Sequence, residues 1–221
     1  MHHAAAGIGV IAAGLALPAC AQPAAYDVTF VSEFAEACVP GRLTYAATKQ
    51  AVVDNGWEAV APSVNPELAA MMVLSEAAAE DPELQATFEY QTYSKQIAGQ
   101  AHFLVASRAS AMIGDPDDPE DTLNPWVSVG CYLYNLDAEA AIDPEPVTAL
   151  VGNPISNSHT DDSLVGYVWG PPCPMPRTGD TYLTFIPEGS SYVDQTGFSG
   201  LVLKFDTSEL DPGAAVPDPY C

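Results

Sequence analysis

The chain has 221 residues, of which 48% are hydrophobic, and its 6 Lys and Arg against 29 Asp and Glu give a formal net charge of −23. Only 16% of the residues are charged, so the apolar fraction can build a core, which excludes an intrinsically disordered protein. The acidic excess excludes proteins that bind nucleic-acid phosphates or anionic membranes through basic surfaces. About 200 residues beyond a leader correspond to one domain of ordinary size.

The N-terminal segment has the pattern of a secretory signal peptide. Residues 8–17 form an apolar run too short to span a bilayer, and the small residues Ala19 and Ala21 follow it as in a signal-peptidase site. We therefore expect residues 1–21 to be removed and the protein to be periplasmic or secreted. Residues 17–20, Leu-Pro-Ala-Cys, also resemble a bacterial lipobox, and the alternative is a lipoprotein anchored through Cys20.

Three helices are predicted in the first third of the mature chain. The first contains apolar residues at helical spacing, namely Phe30, Val31, Phe34, Ala35 and Cys38. The second covers residues 44–54 and ends at Asn55-Gly56. The third begins with Asn65 as its N-cap and Pro66 at its first helical position. A further short helix is predicted over residues 145–151.

The remaining elements are predicted to be strands. Residues 88–108 suit two strands, although a helical pattern competes there, and later strands are predicted at 127–134, 164–169, 181–186 and 201–205. Because the strands follow a helical third, we predict an α+β fold with N-terminal helices packed on a mostly antiparallel sheet of about five or six strands. Residues 22–210 would form this single domain, and residues 211–221 an irregular Pro-rich C-terminal tail.

Four cysteines remain when Cys20 is set aside with the leader: Cys38, Cys131, Cys173 and Cys221. No CxxC pair or suitably spaced His accompanies them, which favours disulfide bonds over a metal site. Four cysteines allow three pairings. Cys38 and Cys131 each lie on the apolar face of their element, which favours joining them and leaves Cys173 for Cys221. Buried free thiols are the alternative.

The sequence contains little that indicates catalysis. Only His102 and His159 lie beyond the leader, so an HExxH zinc site is impossible, and no P-loop, GxGxxG or GxSxG motif is present. A serine-hydrolase triad can be written from Ser199, His159 and either Asp161 or Asp162, but nothing in the sequence brings these residues together. We therefore predict no catalytic residue, no cofactor and no metal ion.

Two other groups of residues are candidates for binding. The acidic loop at residues 114–124 carries carboxylates that suit calcium but lacks the Gly and Glu positions of an EF-hand, so we interpret it as a solvated charge run. A set of aromatic residues in the later segments suits either core pairs or a ligand groove; its members are Tyr167, Trp169, Tyr182, Phe185, Tyr192 and Phe198.

Three short motifs resemble those of a group of small exported proteins of unassigned function from Gram-negative bacteria: Phe34-x3-Cys38, Gly56-Trp57 and Cys131-Tyr132-Leu133-Tyr134. The resemblance implies a bacterial periplasmic protein and no particular activity.

The function that we favour is a non-catalytic exported domain that binds a protein or envelope partner. One alternative is a small-molecule or glycan-binding protein that uses Trp169 and Tyr182 in an aromatic groove. A second alternative is a serine hydrolase that uses Ser199 and His159.

Overall fold

The computed structural model describes residues 24–80, 86–113, 124–219 and 221. The predicted signal peptide and residues 114–123 of the acidic loop lie outside the described residues. The helices are α1 Ala25–Cys38, α2 Tyr45–Asp54, α3 Pro66–Ala79, α4 Glu145–Val151 and α5 Val193–Thr196, with a 3-10 turn at Pro62–Val64. The strands are β1 Glu58–Val60, β2 Thr87–Ile97, β3 Gln100–Ile113, β4 Asn124–Asn135, β5 Ile155–Thr160, β6 Val165–Trp169, β7 Thr178–Ile186 and β8 Gly200–Ser208.

In the described part of the chain, the strands form one eight-stranded sheet in the order β1-β2-β3-β4-β8-β7-β6-β5. All neighbouring strands are antiparallel, so the predicted α+β class with an antiparallel sheet is confirmed. The predicted number of five or six strands is wrong. The two strands that were missed are the edges: β1 has 3 residues, and all 6 residues of β5 are exposed. Neither edge carries the apolar alternation by which a strand is recognised in a sequence.

The alternation of side chains along the central strands separates two cores. On one face, which we call the α1 face, Val129, Cys131 and Leu133 of β4 pack in a cluster with residues of α1, α2 and α4. On the opposite face, which we call the α3 face, Tyr134 of β4 and Val202 of β8 pack with residues of α3. The α1 face is therefore covered by three helices, while the α3 face is covered mainly by α3.

The N-terminal end of α3 is fixed by local capping. Asn65 Oδ1 accepts hydrogen bonds from the backbone N–H groups of Glu67 at 2.8 Å and Leu68 at 3.1 Å. Pro66 occupies the first helical position, where its missing N–H costs nothing. The Leu68 side chain is then completely buried against the α3 face. The first turn of α3 is thus anchored both by its cap and by its packing.

Two disulfide bonds are present among the described residues. Cys38 of α1 is joined to Cys131 of β4, with their Cα atoms 5.8 Å apart, and Cys173 is joined to Cys221 across 5.5 Å. The predicted presence of disulfide bonds is confirmed. Cys38 and Cys131 are both buried, so their bond ties α1 to a central strand from inside the core. The Cys173–Cys221 bond instead ties the C-terminal residue to the segment between β6 and β7.

We expect the double variant Cys38→Ala/Cys131→Ala to lose about 4 kcal/mol or more of unfolding free energy, measured by urea denaturation. The bond spans a sequence separation of 93 residues, so its loss greatly increases the entropy of the unfolded chain, and it leaves a cavity in the core. The control is Cys173→Ala/Cys221→Ala, which removes a bond that spans a sequence separation of 48 residues and lies outside the core. This variant should lose less unfolding free energy. An equal or smaller loss for the core pair would contradict this assignment.

Candidate functional site

The structure does not bring the residues of the hypothetical hydrolase triad together. Ser199 Oγ donates a hydrogen bond to Glu67 Oε1 at 2.9 Å, whereas His159 Nε2 lies 2.8 Å from Asp161 Oδ2. His159 belongs to β5, and the strand order places β5 three strand spacings, about 14 Å, from β8, which Ser199 directly precedes. Among the described residues, Ser199 therefore has a carboxylate partner and no imidazole base.

The His159–Asp161 pair belongs to the exposed turn between β5 and β6. Asp161 Oδ1 accepts hydrogen bonds from Ser163 Oγ at 2.7 Å, Ser163 N at 2.8 Å and Leu164 N at 3.0 Å. These donors, the Ser163 hydroxyl first, hold the pKa of Asp161 below its usual range. Asp161 thus caps the turn that follows β5, and its contact with His159 joins this turn to the end of the strand.

His102 is a core residue of the α1 face. Its ring is completely buried, with Nε2 at 2.8 Å from Tyr26 Oη and Nδ1 at 3.0 Å from the carbonyl oxygen of Gln100. Burial lowers the pKa of His102, which favours the neutral imidazole. Asn135 Nδ2 donates to the same Tyr26 Oη at 2.6 Å, so this network joins α1 to β3 and β4.

The aromatic residues singled out in the sequence are divided between the two faces of the sheet. Successive residues of a strand point to opposite sides, so Trp169 lies on the α1 face while Val168 and its pairing partner Tyr182 lie on the other. Trp169 is completely buried, and its Nε1 donates to Thr148 Oγ1 at 3.0 Å. A groove that uses both Trp169 and Tyr182 is therefore not formed.

A groove of about 390 Å³ lies between α3, α5 and the α3 face of the sheet, and we call it the α3 groove. Most of its wall is apolar, including Met71, Met72, Leu74, Phe88, Val105 and Phe198. Polar groups enter from three central strands, with Ser107 on β3, Tyr132 on β4 and Lys204 on β8. Apolar walls with a few polar groups are typical of small-molecule sites.

The register of four strands places polar residues in and beside the α3 groove: Tyr132 and Lys204 line it, and Tyr182 lies next to Lys204. Val105 pairs with Tyr132, Tyr132 with Lys204, and Lys204 with Tyr182. Lys204 therefore stands between two tyrosines, and its Nζ lies 5.8 Å from the ring centroid of Tyr132 and 5.3 Å from that of Tyr182. Both rings attract the ammonium group through their π faces. Among the described residues, Lys204 Nζ makes no ion pair with a carboxylate.

Tyr132 takes its position because residue 130 is a glycine. A Cβ atom at Gly130 would overlap the Tyr132 ring and would lie 2.6 Å from Ser107 Oγ. The Tyr132 ring lies over the space that the missing side chain of Gly130 leaves, and its Oη donates a hydrogen bond to Asp206 Oδ1 at 2.7 Å. Burial raises the pKa of Asp206, an effect that the Tyr132 hydrogen bond and the charge of Lys204 partly offset. Burial, together with the Asp206 charge, also raises the pKa of Tyr132 well above its usual value.

A larger hollow of about 750 Å³ lies near the start of α3 and the loop after β4. Its described lining includes four carboxylates and no Lys, Arg or His, with Glu67 already accepting hydrogen bonds from Ser199. Within residues 24–80, 86–113, 124–219 and 221, no group of three or more His, Cys, Asp or Glu could hold a metal ion. We therefore regard the smaller α3 groove, which combines apolar walls with a cation, as the better candidate site.

Sequence reasoning missed the residues that form the polar part of this groove. The available signal was Lys204, a lone cation within the apolar strand predicted at 201–205. Tyr132 belongs to one of the short motifs, and Asp206 lies just beyond the strand predicted at 201–205.

Comparison with protein-family models, with curated proteins and with solved structures finds no match to this chain. In the described part of the chain, no helix is both long enough and apolar enough to cross a membrane. The function therefore has to be inferred from the geometry of the α3 groove.

We expect Asp206→Asn to increase the free energy of unfolding at pH 7 by up to about 1 kcal/mol. The amide avoids the cost of burying a charge, while its oxygen can still accept the bond from Tyr132. Because the pKa of Asp206 is raised in the folded state, folding favours the protonated carboxyl, and the wild-type protein gains stability as the pH falls through that raised pKa.

The advantage of Asp206→Asn should therefore shrink in urea denaturation repeated near pH 4. The control is Asp211→Asn, at an exposed position, which should change stability little at either pH. A clear loss of stability for Asp206→Asn at pH 7 would show that the ionised carboxylate stabilises the fold.

Proposed function

We propose that this protein is an exported, non-catalytic binding protein whose ligand site is the α3 groove. The observation that carries the proposal is an apolar groove of about 390 Å³ that Lys204 enters between Tyr132 and Tyr182. Partly buried ionisable groups oppose folding, and they concentrate at functional sites. Export to the periplasm or the extracellular space is supported by the two disulfide bonds among the described residues, since such bonds persist in oxidising compartments.

The chemistry of the groove supports binding rather than catalysis. A tyrosine that acts as a base at neutral pH needs a lowered pKa, but burial raises the pKa of Tyr132. The two histidines beyond the leader are engaged at Tyr26 and Asp161, away from the groove. The groove therefore offers a charge, hydroxyl groups and apolar contacts for a ligand, without an activated base.

We expect the neutral fluorophore N-phenyl-1-naphthylamine to bind the purified protein saturably, with increased emission. Ala78 is exposed and lines the groove, so Ala78→Trp should fill the groove and weaken this binding roughly tenfold or more. Ala77 is its exposed neighbour on α3 and does not line the groove, so Ala77→Trp is the matched control and should bind as the wild type does. Equal affinities for both variants, or no saturable binding, would contradict a ligand site in the α3 groove.

The outer side of α3 supports a second candidate function, the docking of a protein or envelope partner. Apolar residues lie on every side of this helix, and a helix of that kind is normally buried all round. Yet Val73 is 63% exposed, and Leu74, which also borders the α3 groove, is 42% exposed. A partner that docks along α3 would remove this apolar surface from water.

We expect a photo-activated cross-linker placed at Val73 to form discrete protein adducts in intact cells. The control is a cross-linker at Val53, which is 50% exposed and lies on α2, on the other side of the sheet. Adducts in equal yield from both positions, or from neither, would count against a partner on α3.

A further inference from the structure

The geometry points to the chemical class of the ligand: we propose that the α3 groove binds a small amphipathic carboxylate. Its carboxylate would pair with Lys204 Nζ, and its aliphatic part would lie between α3 and the sheet. This inference rests on the proposed function and adds the identity of the head group.

Lys204 lies in a chain dominated by acidic residues. The chain has 29 Asp and Glu for 6 Lys and Arg, so a carboxylate partner is easily found. Lys95 pairs with Glu33 at 2.6 Å, and Arg108 pairs with Glu209 at 2.6 Å. Among the described residues, Lys204 has no such partner, although it lines a mostly apolar groove. An ammonium group in this setting can pair with an anion that comes from outside the chain.

The nearest acidic residue on the same strand and face as Lys204 is already engaged by another group. Asp206 lies two residues after Lys204, so both side chains point to the α3 face. Its Oδ1 is engaged by Tyr132 Oη at 2.7 Å, and no ion pair forms between Asp206 and Lys204. Lys204 is held instead by the faces of Tyr132 and Tyr182, which restrict its side chain without neutralising its charge.

The apolar wall and the volume of the α3 groove suit an aliphatic chain. Met71 and Met72 are unbranched and polarizable, so they adapt to a flexible aliphatic chain. A volume of about 390 Å³ lies near the lower end of the range for small-molecule sites, which favours a short or medium chain over a large lipid.

The net charge of −23 disfavours anions at long range, but it does not decide the local interaction. At physiological ionic strength the interactions of exposed charges are screened beyond about 8 Å. A carboxylate in contact with Lys204, beside two aromatic rings and an apolar wall, is screened much less. The contact with Lys204 therefore dominates the choice of head group.

The test is displacement of N-phenyl-1-naphthylamine by three ligands of equal chain length: decanoate, 1-decanol and decylamine. Each is used below the concentration at which it forms micelles or separates from solution. In the wild type, decanoate should displace the probe at concentrations roughly tenfold lower than decanol, because only the carboxylate forms an ion pair with Lys204. Lys204→Met keeps an unbranched side chain, shorter by the terminal nitrogen, and removes its charge. This variant should lose roughly tenfold in affinity for decanoate and keep its affinity for decanol within about twofold.

The control variant is Lys49→Met, because Lys49 lies over the ring of Tyr45 on α2, outside the groove. It should behave as the wild type does with all three ligands. If decanoate and decanol displace the probe at equal concentrations, and Lys204→Met changes neither, the ligand is not a carboxylate and the inference is overturned. In that case, loss of probe binding in Ala78→Trp but not in Ala77→Trp would still support the groove as a ligand site. Strongest displacement by decylamine would assign the head-group preference to Asp206 and overturn the inference. No binding of the probe at all would remove the proposed function together with the ligand class.

Discussion

The alternation of side chains along β4 is the constraint on which both faces of the molecule depend. The disulfide bond to α1 requires Cys131 on the α1 face, and the pleat then sends Gly130 and Tyr132 to the opposite face. A slip of one residue would turn Tyr132 into the α1 core and move Cys131 away from Cys38. The bond that closes the core therefore also fixes the strand that carries the Tyr132 side of the α3 groove.

The unequal covering of the two faces explains why a groove exists on one of them. In the described part of the chain, three helices cover the α1 face, while the α3 face depends mainly on the one long helix α3. The first turn of α3 is anchored by the Asn65 cap and by Glu67, which accepts two hydrogen bonds from Ser199. Further along α3, Glu76 accepts a bond from Tyr90 Oη at 3.0 Å. Between these two attachments α3 lies over the strands that carry Tyr132 and Lys204, and the α3 groove occupies the space between them.

The sequence contained enough information for the central strands and for the start of α3, but too little for the edges and the site. The alternation at 127–134 lies within β4, and Asn65-Pro66 marks the first turn of α3, because both patterns are local. The edge strand β5 is exposed on both sides and leaves no pattern to read. The polar group of the α3 groove depends on β8 lying beside β4, a pairing between segments more than 60 residues apart in the chain. Periodicity gives the face on which Lys204 lies but not its neighbours.

The two sides of the same strand pairs show what the α3 groove costs the fold. On the α1 face, Leu133 pairs with Leu203, which pairs with Leu183, and all three are buried apolar residues. One position away on the other face, Tyr132 pairs with Lys204, and Asp206 follows with a pKa raised by burial. The same strands could accept apolar residues there and bury them under a helix, which would remove the cost of partly desolvating two charged groups. The fold keeps this polar group and compensates through the opposite core and an internal disulfide bond, which agrees with the proposal that binding, rather than stability, determines these residues.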